Sequence, residues 1–242
     1  MIDEVHEVEA LYDWRHQLGG TTKDYQRIAE ADVHLLSEHI EIKKSKICDV
    51  GCGDGAHLNA LVYAGAIFPL GIDLSGRALL SALASESASR VLILKGDITL
   101  WRPINRFDAV ICSLPPIAHD GRMCVRSLTS TLSAIIRPKG FLMLKLFTLE
   151  SVQSIIGTYA VQYDLAEATL HSSISLADQG RSLRIEQNYG HVPNEKRIEQ
   201  IALPTYSEVS AALIESGFRL DHSPAQNNNV MPGVVSFHAR LS

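Results

Sequence analysis

The sequence has no apolar run long enough to cross a bilayer, so no membrane-spanning helix is expected. Its first residues are acidic (Asp3, Glu4, Glu7, Glu9) and lack the apolar core of a secretory leader, which points to a cytoplasmic protein. Basic charge is also in deficit. With 22 Lys and Arg against 27 Asp and Glu, the net charge is −5. A chain of that balance has no general attraction for nucleic acid or for an anionic membrane. The densest basic cluster, Lys43, Lys44 and Lys46, reads as a solvated approach to a strand. None of the four cysteines (Cys48, Cys52, Cys112, Cys124) stands in a C-x-x-C pair, so buried reduced thiols are expected rather than a metal site or a disulfide framework. There is no internal repeat and no low-complexity linker. What remains is 242 residues, 46% hydrophobic, enough for one large core and short for two.

The most informative stretch runs Ile47-Cys48-Asp49-Val50-Gly51-Cys52-Gly53-Asp54-Gly55. A short apolar run delivers a glycine-rich turn, and Leu58, Leu61 and Val62 begin a helical pattern that Gly65 can close. Gly51 and Gly53 let the backbone turn sharply and approach a ligand where a side chain would block it. A second apolar stretch, residues 67–72, ends in Asp73, a carboxylate placed to accept from two ribose hydroxyls. A third, residues 91–94, leads to Gly96-Asp97-Ile98. Strand, glycine turn, helix, strand and acid make a nucleoside-binding half-sheet. The glycines also satisfy a loose dinucleotide fingerprint, but the Tyr-x-x-x-Lys of a short-chain dehydrogenase is missing.

Alternating apolar runs and helical patterns continue along the chain. Helices are expected over residues 22–40, from the glycine turn to about 64, over 78–87 and over 124–136. Strands are expected over 91–95, 108–113 and 141–147, the last after an Arg137-Pro138-Lys139-Gly140 turn. Thr205-Tyr206-Ser207-Glu208 is a capping box opening a helix that Gly217 closes, and residues 218–222 and 234–241 form a final strand pair. Between them, residues 160–203 alternate with period two around an Asp178-Gln179-Gly180 turn, which predicts two or three antiparallel strands inserted into the fold.

Asp49-Val50-Gly51-Cys52-Gly53-Asp54-Gly55, with its acid two residues before the first glycine, resembles the first motif of class I S-adenosylmethionine-dependent methyltransferases. Asp97 stands where that family meets the adenine amino group, and the Pro-Lys-Gly and Glu-Ser-Gly-Phe steps are common family marks. The resemblance covers about residues 46–147 and 204–242. It implies an α/β fold, a doubly wound seven-stranded Rossmann-like sheet whose last strand inserts antiparallel, with S-adenosylmethionine as cofactor. It divides the chain into an N-terminal helical cap (1–45), a core (46–159 and 204–242) and an inserted antiparallel platform (160–203) that closes a substrate pocket or forms a homodimer face. Tyr25, Asp49, Gly51, Cys52, Gly53, Asp73, Leu74, Asp97, Ile98 and Cys112 are the cofactor-binding residues it implies.

A narrower pattern, Tyr12-Asp13, Lys23-Asp24-Tyr25 and Glu30-Ala31 with the inserted sheet, looks like small-molecule N-methyltransferases acting on nucleotide-linked amino sugars. Those carry a cysteine, a short small-residue loop and a histidine after strand four. Here the stretch is Cys112-Ser113-Leu114-Pro115-Pro116-Ile117-Ala118-His119, with prolines in place of the usual serine pair and alanine in place of glycine. The resemblance makes His119 the candidate general base, Tyr12 a candidate for substrate orientation, and a small-molecule amine the acceptor. An O-methyltransferase is the alternative. A nucleic-acid base methyltransferase fits less well, since Leu114 and Ile117 flank Pro115-Pro116 where those enzymes want a polar residue and an aromatic. A non-catalytic partner subunit would not need the intact glycine turn and both acids.

Overall fold

A computed structural model describes residues 23–115, 124–153, 160–165, 168–189, 196–221, 225–226 and 234–242. The helix α1 (Lys23–Ser37) precedes β1 (Ile47–Val50), whose four residues are all buried. Then follow α2 (Ala56–Tyr63), β2 (Leu70–Asp73), α3 (Gly76–Leu83), β3 (Leu92–Lys95), β4 (Phe107–Ser113), α4 (Val125–Ile135) and β5 (Ile136–Phe147). After α5 (Leu149–Gln153) come β6 (Ala160–Leu165), β7 (Ala168–Ala177), β8 (Ser182–Tyr189) and β9 (Lys196–Ala202). The chain ends with α6 (Tyr206–Glu215), β10 (Phe218–Leu220), β11 (Ala225–Gln226) and β12 (Val234–Leu241).

The main sheet runs β10-β12-β5-β4-β1-β2-β3, with β11 paired to β12. Strands β1 to β5 pair in parallel, and β12 inserts antiparallel between β5 and β10. This is the doubly wound sheet expected from the sequence. Strand order reverses beside β1, which has β4 on one side and β2 on the other. Ligands of such sheets bind at that switch point, outside the carboxyl ends of the strands.

Period-two alternation divides the core between the two faces of the sheet. Ile47, Ala109, Ile111, Phe141 and Met143 face Ala29, Val33 and Leu36 of α1. Cys48, Val110, Cys112, Leu142 and Leu144 face α4 and α6 on the other side. The same alternation, continued to the carboxyl ends, puts Asp49 and Lys145 on the face that α1 and α2 cover. Among the described residues no helix is long and apolar enough to cross a membrane.

Two expectations need correction. The insert is a separate sheet of four antiparallel strands, β6-β7-β8-β9, rather than two or three. The added strand, β6, is a six-residue segment that earns its place by pairing along its length with β7, from Ala160↔Ser173 to Leu165↔Ala168. Second, the Arg137–Gly140 turn belongs to β5 as an irregularity, because the register with β4 jumps from Phe107↔Ile136 to Ala109↔Phe141. Lys139 takes a left-handed φ of 64° there. Gly140 is required by space, since a Cβ would lie 2.6 Å from Ile136 Cγ2 and 2.9 Å from the Arg137 carbonyl. The capping box is present as read: Glu208 N–H donates to Thr205 Oγ1 at 3.1 Å, and Thr205 N–H donates to Glu208 at 2.7 Å.

Candidate functional site

The glycine turn is held to the end of β2. Gly51 and Cys52 N–H groups both donate to the Ile72 carbonyl, at 2.8 and 3.2 Å. Gly53 N–H donates to Asp73 Oδ2 at 2.8 Å, while Asp73 Oδ1 accepts from Ser75 N–H at 2.8 Å. Asp73 therefore pins the turn and starts the approach to α3, and it is only half-buried. At Gly51 an added Cβ would meet nothing within 4 Å, so the demand for glycine comes from its φ of 73°. Gly71 is a different matter. A Cβ there would sit 2.6 Å from both Cys52 Sγ and Leu58 Cδ1, so β2 and the turn touch through this glycine.

After β3, Asp97 Oδ1 accepts from Thr99 N–H and Oγ1 at 2.8 and 2.7 Å, which fixes the carboxylate at the strand end. Asp49, Asp73 and Asp97 thus stand at the carboxyl ends of three adjacent strands. Leu74 is half-buried beside Asp73. Cys52 packs with Leu58 and Leu79, whereas Ile98 and Cys112 belong to the main core. Tyr25 is exposed on α1. Tyr12 and His119 lie outside the described residues. At the exit of β4, Leu114 adopts a φ of 53°, rare for a leucine, and its N–H donates to the Lys145 carbonyl at 2.8 Å.

Beneath the turn lies a buried charge array that the sequence reading missed. Lys145 Nζ donates to both oxygens of Asp32, at 2.9 and 2.7 Å, with both side chains nearly inaccessible to solvent. Asp32 Oδ2 also meets His57 Nε2 at 3.0 Å, and His57 Nδ1 lies 3.8 Å from Asp49 Oδ2. Asp49 is 1% exposed, and neither of its carboxylate oxygens has a hydrogen-bond partner among the described residues. Signals were present. Asp32 interrupts the apolar stripe Ala29, Val33, Leu36, and Lys145 sits in the middle of the apolar run Phe141–Phe147.

Burial pushes the Asp49 carboxyl up to about 6; His57 opposes that, and Asp73, Asp32 and Asp54 add to it. Burial also disfavours a charged His57, but Asp49 and Asp32 outweigh it and hold the imidazole above its ordinary value. For Asp32, burial is outweighed by the hydrogen bond from His57 and the charge of Lys145, so its carboxyl is held below the usual range. A raised folded value means that the folded state binds Asp49's proton more tightly than the unfolded chain. Stability is therefore lost as pH rises from the ordinary carboxylate value to about 6, and the penalty persists above that. Asp49→Asn removes it. The variant should be more stable than the unmutated protein at pH 7 by on the order of 1–3 kcal/mol, with no gain below about pH 4. Thermal melts at both pH values check this, and an equal or lower melting temperature at pH 7 would contradict it.

Residues 47–140 match the family described as a methyltransferase domain. A ribosomal protein L11 methyltransferase from Aliivibrio fischeri is 23% identical over 128 residues, which is 53% of this chain and 42% of that protein. The chain thus spans less than half the length of the curated relative it matches. Among solved structures, DesVI from Streptomyces venezuelae superposes with a TM-score of 0.72 at 17% identity, covering 100% of this chain and 99% of that one. CalS10, an amino pentose methyltransferase from Micromonospora echinaspora solved with S-adenosylmethionine bound, gives a TM-score of 0.70 at 22% identity over 95% and 94% of the two chains. At these identities the superpositions speak for a shared fold.

Proposed function

We propose that this chain, whose residues 47–140 match a methyltransferase domain, transfers a methyl group from S-adenosylmethionine to a small-molecule acceptor, an amine nitrogen in the first instance. The observation that carries the reading is Asp49: a buried carboxylate without a hydrogen-bond partner among the described residues, at the glycine turn, with Asp73 and Asp97 at the neighbouring strand ends. The donor set suits the cofactor. A buried anion matches the ammonium of its amino-acid part, the half-buried Asp73 matches a ribose diol, and Asp97 matches an adenine amino group. The exposed Gly51 turn offers backbone where a side chain would block approach. Leu74, Cys52, Ile98 and Cys112 shape the walls, and Tyr25 on α1 reaches the cofactor's carboxylate.

When bound, the cofactor supplies a methyl that is already electrophilic, so the protein's task is alignment and removal of a proton from the amine. In this reading His119 takes that proton and Tyr12 orients the acceptor. The inserted sheet closes the substrate pocket or pairs two copies of the chain. The relatives support an amine, since one acts on an amino pentose and another is a glycopeptide N-methyltransferase. A hydroxyl acceptor is the alternative, and a transfer assay with paired amino and hydroxy sugars separates the two. The acidic balance argues against nucleic acid as acceptor. The first test is binding. Asp73→Ala should weaken S-adenosylmethionine by about 2–4 kcal/mol, the worth of two charge-assisted hydrogen bonds. An affinity by calorimetry within about twofold of the unmutated protein would sink the assignment.

A further inference from the structure

We infer that His57, anchored by Asp32 and Lys145, is a positioning residue that keeps Asp49 ionised to receive the ammonium of the cofactor's amino-acid part. This deepens the function proposed above and rests on it. The four side chains alternate in charge along one line. Lys145 of β5 grips Asp32 of α1 through both oxygens, Asp32 accepts from His57 Nε2, and His57 Nδ1 turns toward Asp49 at 3.8 Å. With a carboxylate facing each ring nitrogen, the doubly protonated imidazolium is the favoured form. The 3.8 Å separation is close enough for attraction but too long for a hydrogen bond, which leaves the oxygens of Asp49 their acceptor capacity.

Among the described residues, the other titratable groups that act on Asp49 oppose its charge. Asp73 faces it from β2, Asp54 from the glycine turn and Asp32 from α1, and all three disfavour a further anion. The cation of Lys145 lies beyond Asp32, which it neutralises. The thiols of Cys48, Cys52 and Cys112 are pushed up, first by burial and then by Asp49, and stay neutral. A carboxylate so surrounded would take up a proton near neutral pH, and a neutral carboxyl is a poor partner for an ammonium. His57 therefore sets the lower pH limit of cofactor binding; Asp32 aims the ring and favours its charge, while Lys145, whose own cation opposes that charge, holds Asp32 in place.

The test uses the full chain and two stable ligands. S-adenosylhomocysteine carries the ammonium; 5′-methylthioadenosine lacks the amino-acid part. Calorimetric affinities are measured from pH 5 to 8 for the unmutated protein, His57→Gln and Asp49→Asn. For the unmutated protein, S-adenosylhomocysteine should weaken below about pH 6, where Asp49 becomes protonated. In His57→Gln the midpoint should rise by on the order of one pH unit, giving roughly fivefold weaker binding at pH 6 and equal or tighter binding at pH 8. Asp49→Asn should remove the pH step, and 5′-methylthioadenosine should bind all three proteins alike. A loss in His57→Gln that is the same at every pH, or that extends to 5′-methylthioadenosine, makes His57 a packing residue and overturns the inference. So does an unchanged profile. Failure of the unmutated protein to bind S-adenosylhomocysteine at any pH overturns the proposed function itself, a distinct result.

Discussion

Lys145→Ala should lower the stability of the chain by about 3–5 kcal/mol, which for a domain of this size lowers the melting temperature by roughly 10 °C or more. The loss comes from what stays behind. Lys145 contacts each oxygen of an Asp32 that is 2% exposed, and without it the buried carboxylate keeps, among the described residues, the contact to His57. Truncation also opens a cavity at the centre of β5. The double replacement Lys145→Met with Asp32→Leu deletes both charges and restores apolar volume, so it should recover most of the lost stability. This contrast isolates the stranded anion from simple loss of packing. Thermal melts and denaturant titrations of the three proteins provide the comparison. A Lys145→Ala variant melting within about 2 °C of the unmutated protein would show that water reaches Asp32.

His119→Ala should keep cofactor affinity and lose roughly 10²–10⁴-fold in turnover, the span of general-base contributions. The strand that carries the loop ends in a constrained manner. Leu114 holds a left-handed φ of 53° with its N–H on the Lys145 carbonyl, and Pro115 follows directly. Proline pushes the residue before it toward extended backbone, so the left-handed Leu114, tied by its N–H to Lys145, is a strained position that costs of order 1–3 kcal/mol. If the imidazole takes the amine's proton, the unmutated rate should fall as pH drops below its titration, since the protonated ring cannot act as base. Single-turnover rates across pH 5–8 test both points. Turnover that survives the substitution with the same pH profile would assign the proton to solvent or to another side chain.

The sheet was legible because its signals are local. Glycines at left-handed positions, a capping box at Thr205 and apolar runs of strand length each carry their meaning within a few residues. The acids at strand ends were legible for the same reason: Asp73 closes an apolar run, Asp49 sits within one just before the glycine turn, and Asp97 follows one after Lys95-Gly96. The array of Asp32, His57 and Lys145 was not, although two of its members break an apolar pattern. Asp32 and Lys145 are 113 residues apart, and only the pairing of β1, β4 and β5 sets their faces toward α1. A lone acid in a helical stripe reads as a flaw in the pattern until its partner is seen. The fourth strand of the insert escaped notice because β6 is short and its register is supplied by β7 rather than by its own sequence.

The inserted sheet leaves the core and returns to it at nearly one place. Leu149 N–H donates to the Pro204 carbonyl at 3.0 Å, and Tyr206 N–H meets both oxygens of Glu150 at 3.1 Å, so the two stems are tied together at the base. Its apolar root is small, consisting of fully buried Val152, Leu183 and Leu203 with a few half-buried neighbours. Because the ends of the excursion already meet, its length adds little to the cost of ordering the core, which grows only slowly with loop size. Such a graft can be lengthened, recarved or exchanged between chains while the strand ends that carry Asp49, Asp73 and Asp97 stay where they are. On the function proposed above, the division would give the molecule two independent rates of change, one for the core that meets the donor and another for the insert beside the acceptor.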